Sequence, residues 1–126
     1  MDKKILIVDD EPHIRILLKR ALEDLEDEGV ELLLAVDGKE ALEMVAAERP
    51  NLILLDVMMP HINGYEVCQR VKAQFRDIHI LLLTAKGQAV DKVRGGEVGA
   101  DEYVTKPFNP DYILEQAAAI LGVELE

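Results

Sequence analysis

Four short apolar runs in this chain each stop at a polar residue, and that arrangement limits the possible folds more than any other feature. Ile5-Leu6-Ile7-Val8 runs into Asp9-Asp10-Glu11, and Leu52-Ile53-Leu54-Leu55 runs into Asp56. Ile80-Leu81-Leu82-Leu83 runs into Thr84, and Tyr103-Val104-Thr105 into Lys106-Pro107. Runs this apolar suit strands buried on both faces, as in a parallel sheet covered by helices. If they lie in one sheet, three carboxylates, a hydroxyl and an ammonium converge on its carboxyl edge, where open α/β sheets place their ligands. Such a set suits a divalent cation and a phosphoryl group.

The segments between the runs have helical periodicity, which reads as repeated βα units. A first helix is predicted from about Pro12, with Ile14, Leu17, Leu18, Ala21, Leu22 and Leu25 inward and Gly29 as its stop. The acid-rich stretch Glu23 to Glu28 reads as a solvated helix end. A second strand spans roughly Val30 to Val36. Asp37-Gly38 then opens a helix with Ala41, Leu42 and Val45 inward, closing before Pro50. A loop through Met58-Met59-Pro60 and Asn63-Gly64 follows Asp56, and a helix from Tyr65 to Phe75 places Cys68, Val71 and Phe75 at helical spacing. A glycine-interrupted helix is predicted over Gln88 to Val98, and a last one from about Pro110 to Leu121. The reading is a doubly wound five-stranded parallel sheet flanked by five helices, since βαβ crossovers are right-handed.

A length of 126 residues fits one domain, residues 1–126, with a single core. The net charge of −11 argues against nucleic acid as a direct partner, which would need a cationic face, and against an anionic membrane surface. One cysteine, Cys68, excludes an internal disulfide and reads as buried packing in a reducing compartment. No run reaches signal-peptide or transmembrane length, so a cytoplasmic location is expected. His13, His61 and His79 lack the paired spacing of a transition-metal site.

Taken singly, the polar residues have ordinary readings. A strand-end aspartate is commonly a turn former, Thr84 a helix cap, Lys106 a surface lysine and Tyr103 an amphipathic strand residue. Asp9, Asp10 and Asp56 together differ, because carboxylates about 4 Å apart repel by roughly 4 kcal/mol at an effective dielectric near 20. A cation among them relieves that repulsion. Oxygen-only ligands favour Mg²⁺ or Ca²⁺, and Mg²⁺ is the better fit because it keeps open waters and works with phosphates. Thr84 could donate to a phosphoryl oxygen and Lys106 could supply a compact charge to the same group.

Ile5 to Pro12, Leu54-Leu55-Asp56-Val57-Met58-Met59-Pro60, Leu83-Thr84-Ala85 and Gly99 to Phe108 resemble, in order and spacing, the motifs of a response-regulator receiver domain of two-component signalling. The resemblance covers essentially the whole chain. It implies a flavodoxin-like fold with strand order 2-1-3-4-5, an order carried over from the family and not deduced. It implies that Asp56 is the phosphoacceptor for a kinase phosphohistidine, and that Asp10, Asp56 and the Met58 backbone carbonyl bind Mg²⁺ with Asp9 acting directly or through water. Lys106 would pair with Asp56 at rest and with the phosphoryl group afterwards. Thr84 would move to that group and let Tyr103 turn inward, biasing a surface of the helix before the fifth strand, that strand and the last helix. The Lys106–Pro107 peptide is expected to be cis. Met58 and Lys86 stand where the family tunes phosphoryl hydrolysis, and Met58 has no group to orient water, which predicts slow self-dephosphorylation.

The function expected is a receiver that takes a phosphoryl group onto Asp56 in a Mg²⁺-dependent reaction and switches an interaction surface. It catalyses its own phosphoryl uptake and loss but is not a conventional enzyme. Expected partners are a sensor histidine kinase or phosphotransfer protein, and a downstream effector protein or an output domain beyond the C-terminal end. Two alternatives stay open: a degenerate receiver that only binds, and a Mg²⁺-dependent phosphohydrolase, which Met58 in place of an aspartate disfavours. The last helix, Tyr112 to Ile120, lacks the basic residues that pair across dimers in winged-helix members of the family, and its alanines are read as core.

Overall fold

The computed structural model describes residues 3–85 and 99–125. The strands are β1 (Lys4–Val8), β2 (Glu31–Ala35), β3 (Leu52–Asp56), β4 (His79–Ala85) and β5 (Glu102–Lys106). The helices among the described residues are α1 (Pro12–Ala21), α2 (Glu23–Asp27), α3 (Gly38–Glu48), α4 (Gly64–Gln74) and α5 (Pro110–Leu121). All strand pairs are parallel, in the order β2-β1-β3-β4-β5. The predicted helix Gln88 to Val98 and Lys86 lie outside the described residues.

Period-two alternation divides the strand residues between two cores. Leu6, Val8, Ile53, Leu55, Ile80 and Leu82 pack on Ala41 and Val45 of α3 and on Val67, Cys68 and Val71 of α4. Ile5, Ile7, Leu52, Leu54, Leu81 and Leu83 pack on Leu18, Leu22 and Leu25 and on Ile113, Ala117, Ala118 and Leu121 of α5. Both faces of the sheet are covered at its centre, which is why β1, β3 and β4 are almost continuously apolar. Ala117 and Ala118 are core, while Ala119 points outward.

The helix starts follow from their caps. Asp37 accepts the Glu40 N–H at 2.8 Å while the Glu40 carboxylate accepts the Val36 N–H at 3.0 Å, a reciprocal cap on α3. Asn63 accepts the Glu66 N–H at 3.0 Å and opens α4. Pro12 and Pro110 occupy the first turns of α1 and α5. Gly29 and Gly122, with φ of 91° and 68°, take the left-handed conformation that follows a helix end.

Three expectations need correction. The first helix is not continuous: Leu22, with φ −101° and ψ 8°, separates α1 from α2. Leu17 is 41 % exposed, because the buried face follows Leu18, Leu22 and Leu25 and leaves Leu17 on its margin. The Asn63-Gly64 pair is a helix cap and first helical residue, not a simple turn.

Candidate phosphoryl and cation site at the carboxyl edge of the sheet

Strand register brings the acidic residues together. Val8 of β1 lies opposite Leu55 of β3, so Asp9 and Asp56, the next residues, emerge side by side. Asp56 in turn lies opposite Leu83 of β4, one residue before Thr84, and Lys106 lies opposite Ala85. One carboxylate oxygen from each of Asp9, Asp10 and Asp56 falls within a 4.8 Å group.

Burial differs sharply within this group. Asp9 is fully buried, Asp56 is 3 % exposed and Asp10 faces solvent. The Lys106 ammonium reaches both buried carboxylates, at 3.0 Å from Asp56 Oδ1 and 3.3 Å from Asp9 Oδ2. The resting pairing of Lys106 with Asp56 is as expected. The backbone N–H of Glu11 donates to Asp9 Oδ1 at 2.9 Å.

Three carboxylates face one ammonium here. At 4.8 Å and an effective dielectric near 20, each like-charge pair repels by about 3 kcal/mol. Burial first, and then the Asp9 charge, push the Asp56 carboxyl up to about 6, although Lys106 and the Met58 N–H pull the other way. Burial likewise raises Asp9. Burial also acts to lower Lys106, but its bond to Asp56 and the charges of both aspartates outweigh that and leave it raised. Among the described residues the cluster is therefore short of positive charge, and its exposed member, Asp10, opens it to a cation from solvent.

The donor set is all oxygen and anionic, which fits Mg²⁺ or Ca²⁺ and not a soft transition metal. Asp10 and Asp56 could each offer an oxygen, and Asp9 has both of its oxygens engaged by Glu11 and Lys106. Thr84 is 2 % exposed at the end of β4, on the strand beside that of Asp56. Tyr103 stands on β5 opposite Leu82 and is 39 % exposed. The Met58 side chain, two residues after Asp56, is 61 % exposed, and the Lys106–Pro107 peptide is cis. Of the histidines, His13 pairs with Glu11 at 3.0 Å, His61 lies in the loop after Asp56 with φ 67°, and His79 starts β4.

Two further residues shape this edge: Gly64, expected only as a turn glycine, and Arg15, which the sequence did not single out. A Cβ on Gly64 would collide with the Asp56 carbonyl oxygen and lie 2.8 Å from Val57 Cα, so the first residue of α4 must be glycine for the helix to seat against Asp56. Arg15 donates from its guanidinium to the Asp9 carbonyl at 2.6 Å. Its place one turn past Glu11, on a helix that starts directly after the acidic pair, was the signal available for it.

A family model described as the response regulator receiver domain matches residues 5–118. Among curated proteins, the alkaline phosphatase synthesis transcriptional regulatory protein PhoP of Bacillus subtilis is 48 % identical over 121 residues, which is 96 % of this chain and 49 % of PhoP. The chain thus spans about half the length of the curated relatives it matches. Among solved structures, the chemotaxis protein CheY4 of Vibrio cholerae is 34 % identical with a TM-score of 0.83, over 95 % of this chain and 99 % of that one. The BeF3-activated receiver domain of DrrB, a Thermotoga maritima protein, is 33 % identical with a TM-score of 0.86, over 97 % and 99 %.

Proposed function

The chain belongs to the receiver domains of two-component response regulators, and from that premise we propose that Asp56 is its phosphoacceptor and that the acidic cluster holds Mg²⁺. The observation that carries this reading is the placement of Asp56. It is buried at the end of a central strand, 3.0 Å from Lys106, with Asp9 and Asp10 oxygens inside the same 4.8 Å group.

In the reaction, an Asp56 carboxylate oxygen attacks the phosphorus of a phosphoimidazole or a small acyl phosphate. The new P–O bond forms as the bond to the leaving group breaks, and an imidazole leaving group takes up a proton. With its carboxyl raised only to about 6, Asp56 is still mainly a carboxylate at neutral pH, as a nucleophile must be. Mg²⁺ bound by Asp10, Asp56 and the Met58 carbonyl, with Asp9 directly or through water, would neutralise negative charge on the phosphoryl oxygens. Lys106, already held at both buried carboxylates, supplies a fixed charge that needs little reorganisation when the phosphoryl group arrives. Thr84, at the adjacent strand end, donates its hydroxyl to a phosphoryl oxygen, and Tyr103 turns inward from its exposed position on β5. These two residues convert the new charge into a changed surface.

Activation of the DrrB receiver by BeF3 is consistent with this reading, since BeF3 bound to a carboxylate has the tetrahedral geometry of a phosphoryl group. The phosphoryl donor would be a sensor histidine kinase or a phosphotransfer protein. PhoP is named as a transcriptional regulatory protein, and this chain would supply the receiver half of a comparable regulator or act on a separate effector. It would turn over its own phosphoryl group without being an enzyme in the ordinary sense. No helix among the described residues is long and apolar enough to cross a membrane, and action in the cytoplasm accords with the kinase partner. Intact-mass analysis after incubation with acetyl phosphate tests the assignment. One phosphoryl group should be gained with Mg²⁺, none without it, and none by Asp56→Asn. Uptake by Asp56→Asn equal to wild type would remove Asp56 as the acceptor.

A further inference from the structure

The corner between β1 and α1 is held at three successive peptide groups. The Val8–Asp9 peptide is fixed by its N–H, which donates to the Ala35 carbonyl at 3.2 Å and continues the β1–β2 ladder. The Asp10–Glu11 peptide is fixed by the Glu11 N–H, which donates to Asp9 Oδ1 at 2.9 Å. The peptide between them, Asp9–Asp10, is fixed by its carbonyl, which accepts from the Arg15 guanidinium at 2.6 Å.

Asp10 has a different status from its neighbour. Both Asp9 oxygens are engaged, one by Glu11 and one by Lys106. The Asp10 carboxylate is exposed, and no hydrogen bond or ion pair to it is found among the described residues. Nothing at the side chain itself aims it toward the cluster. Its direction is set by the two peptide planes that flank it, and one of those planes is held by Arg15.

We propose that Arg15 is a positioning residue: through the Asp9 carbonyl it fixes the Asp9–Asp10 peptide and so aims the Asp10 carboxylate at the cation. The inference rests on the reading of the acidic cluster as a Mg²⁺ site. Arg15 suits the role because it is half-buried on α1, where its own N–H donates to the Glu11 carbonyl at 3.2 Å. A charge-assisted bond of this length is among the stronger ones a backbone carbonyl accepts. Residues that orient metal ligands commonly matter about 10- to 100-fold in metal affinity.

The sign of the effect separates positioning from simple electrostatics. A cation beside an acidic cluster repels Mg²⁺, so removing its charge alone would tighten binding. Removing an orienting bond would weaken it. The test is calorimetric titration of wild type, Arg15→Ala and Arg15→Lys with MgCl₂, beside amide hydrogen exchange at Asp9 and Glu11 in metal-free protein. Arg15→Ala should weaken Mg²⁺ binding about tenfold, and should speed exchange at Glu11 several-fold. Arg15→Lys, which keeps a donor and the charge, should recover most of both. Equal or tighter binding by Arg15→Ala overturns the proposal, as does a lowered thermal midpoint with affinity and local exchange unchanged. If wild type binds no Mg²⁺, the metal reading fails, and the exchange arm decides the role of Arg15: unchanged protection at Glu11 overturns it. Should Arg15→Ala not fold, Arg15→Gln takes its place in both arms.

Discussion

The two edges of the sheet use the same residue types to opposite ends. At the amino edge two ion pairs stand out: Lys4 meets Glu48 at 3.0 Å and Lys72 meets Asp101 at 2.6 Å. Asp101 also accepts the Ile80 N–H at 2.8 Å, and Asn51 accepts the Lys4 N–H at 2.8 Å, so acids and amides there tie strand starts to helix ends. At the carboxyl edge three carboxylates share one ammonium, and two of the three are buried. At the amino edge each of these two pairs brings one acid to one cation, whereas at the carboxyl edge, among the described residues, three carboxylates gather around one ammonium. The difference teaches where to look for function in such a sheet: in the place where charge is gathered without being balanced.

The comparison breaks most visibly in activity. Lys106→Ala should slow phosphoryl uptake from acetyl phosphate by about a hundredfold or more, the scale of losing one preorganised charge. Lys72→Ala, at the opposite edge, should leave uptake within about twofold. Initial rates by intact mass would measure both, and equal losses would dissolve the contrast.

Stability should respond with opposite signs. Asp56→Asn relieves a buried, repelled carboxylate while Lys106 keeps Asp9, so unfolding free energy in urea should rise by about 1–2 kcal/mol. Asp101→Ala strips the Ile80 N–H of its acceptor and should lower it by about 1–3 kcal/mol. A loss in both variants would mean that the carboxyl edge is no more strained than the other.

Within the carboxyl edge, Met58 sharpens the picture. Its exposed thioether cannot orient a water, and Met58→Asn should shorten the phosphoryl lifetime about threefold to tenfold, an effect of the size one hydrogen bond carries. Decay of the phosphorylated mass after removal of the donor gives the number, and an unchanged lifetime would detach this position from hydrolysis.

The smallest effect is a pH dependence. Burial pushes Asp101 up, but the Lys72 bond and the Ile80 N–H together hold it below the ordinary carboxylate value of 3.8. A lowered acid stabilises the fold above its unfolded pKa, and that contribution disappears as pH falls through the folded one. Below about pH 4, the wild type should lose urea resistance more steeply than Asp101→Asn. Parallel acid limbs would show that the pair contributes little.

Much of this was legible in the sequence, for definite reasons. A strand buried on both faces has to be apolar throughout, so β1, β3 and β4 announced themselves, and the first polar residue after each marked the sheet edge. Asp9, Asp56 and Thr84 were visible on that ground, and Lys106 by its place after the shorter run Tyr103-Val104-Thr105. The strand order was not, because pairing is set by crossovers that no local pattern encodes, and it came with the family resemblance. The unequal status of Asp9 and Asp10 was also hidden. Two adjacent aspartates look alike in sequence, and only the register on Ala35 and the reach of Lys106 commit the first, while among the described residues nothing bonds the second. Arg15 resembled any solvent-facing helix residue because its partner is a backbone carbonyl, which has no side-chain signature. Leu17 was misplaced because an apolar side chain at the margin of a helix stripe satisfies the periodicity without being covered.

Gly64 has a consequence for anyone changing this protein. With the start of α4 pressed onto the Asp56 carbonyl, and a Cβ on Gly38 at the start of α3 falling 2.9 Å from the Ile62 carbonyl oxygen, the loop after Asp56 runs between two helices that leave no room for a side chain at their closest points. A saturation library would find both positions intolerant although neither carries a functional group. In such a map of permitted substitutions, the acceptor would be outlined as much by its two missing side chains as by its carboxylates.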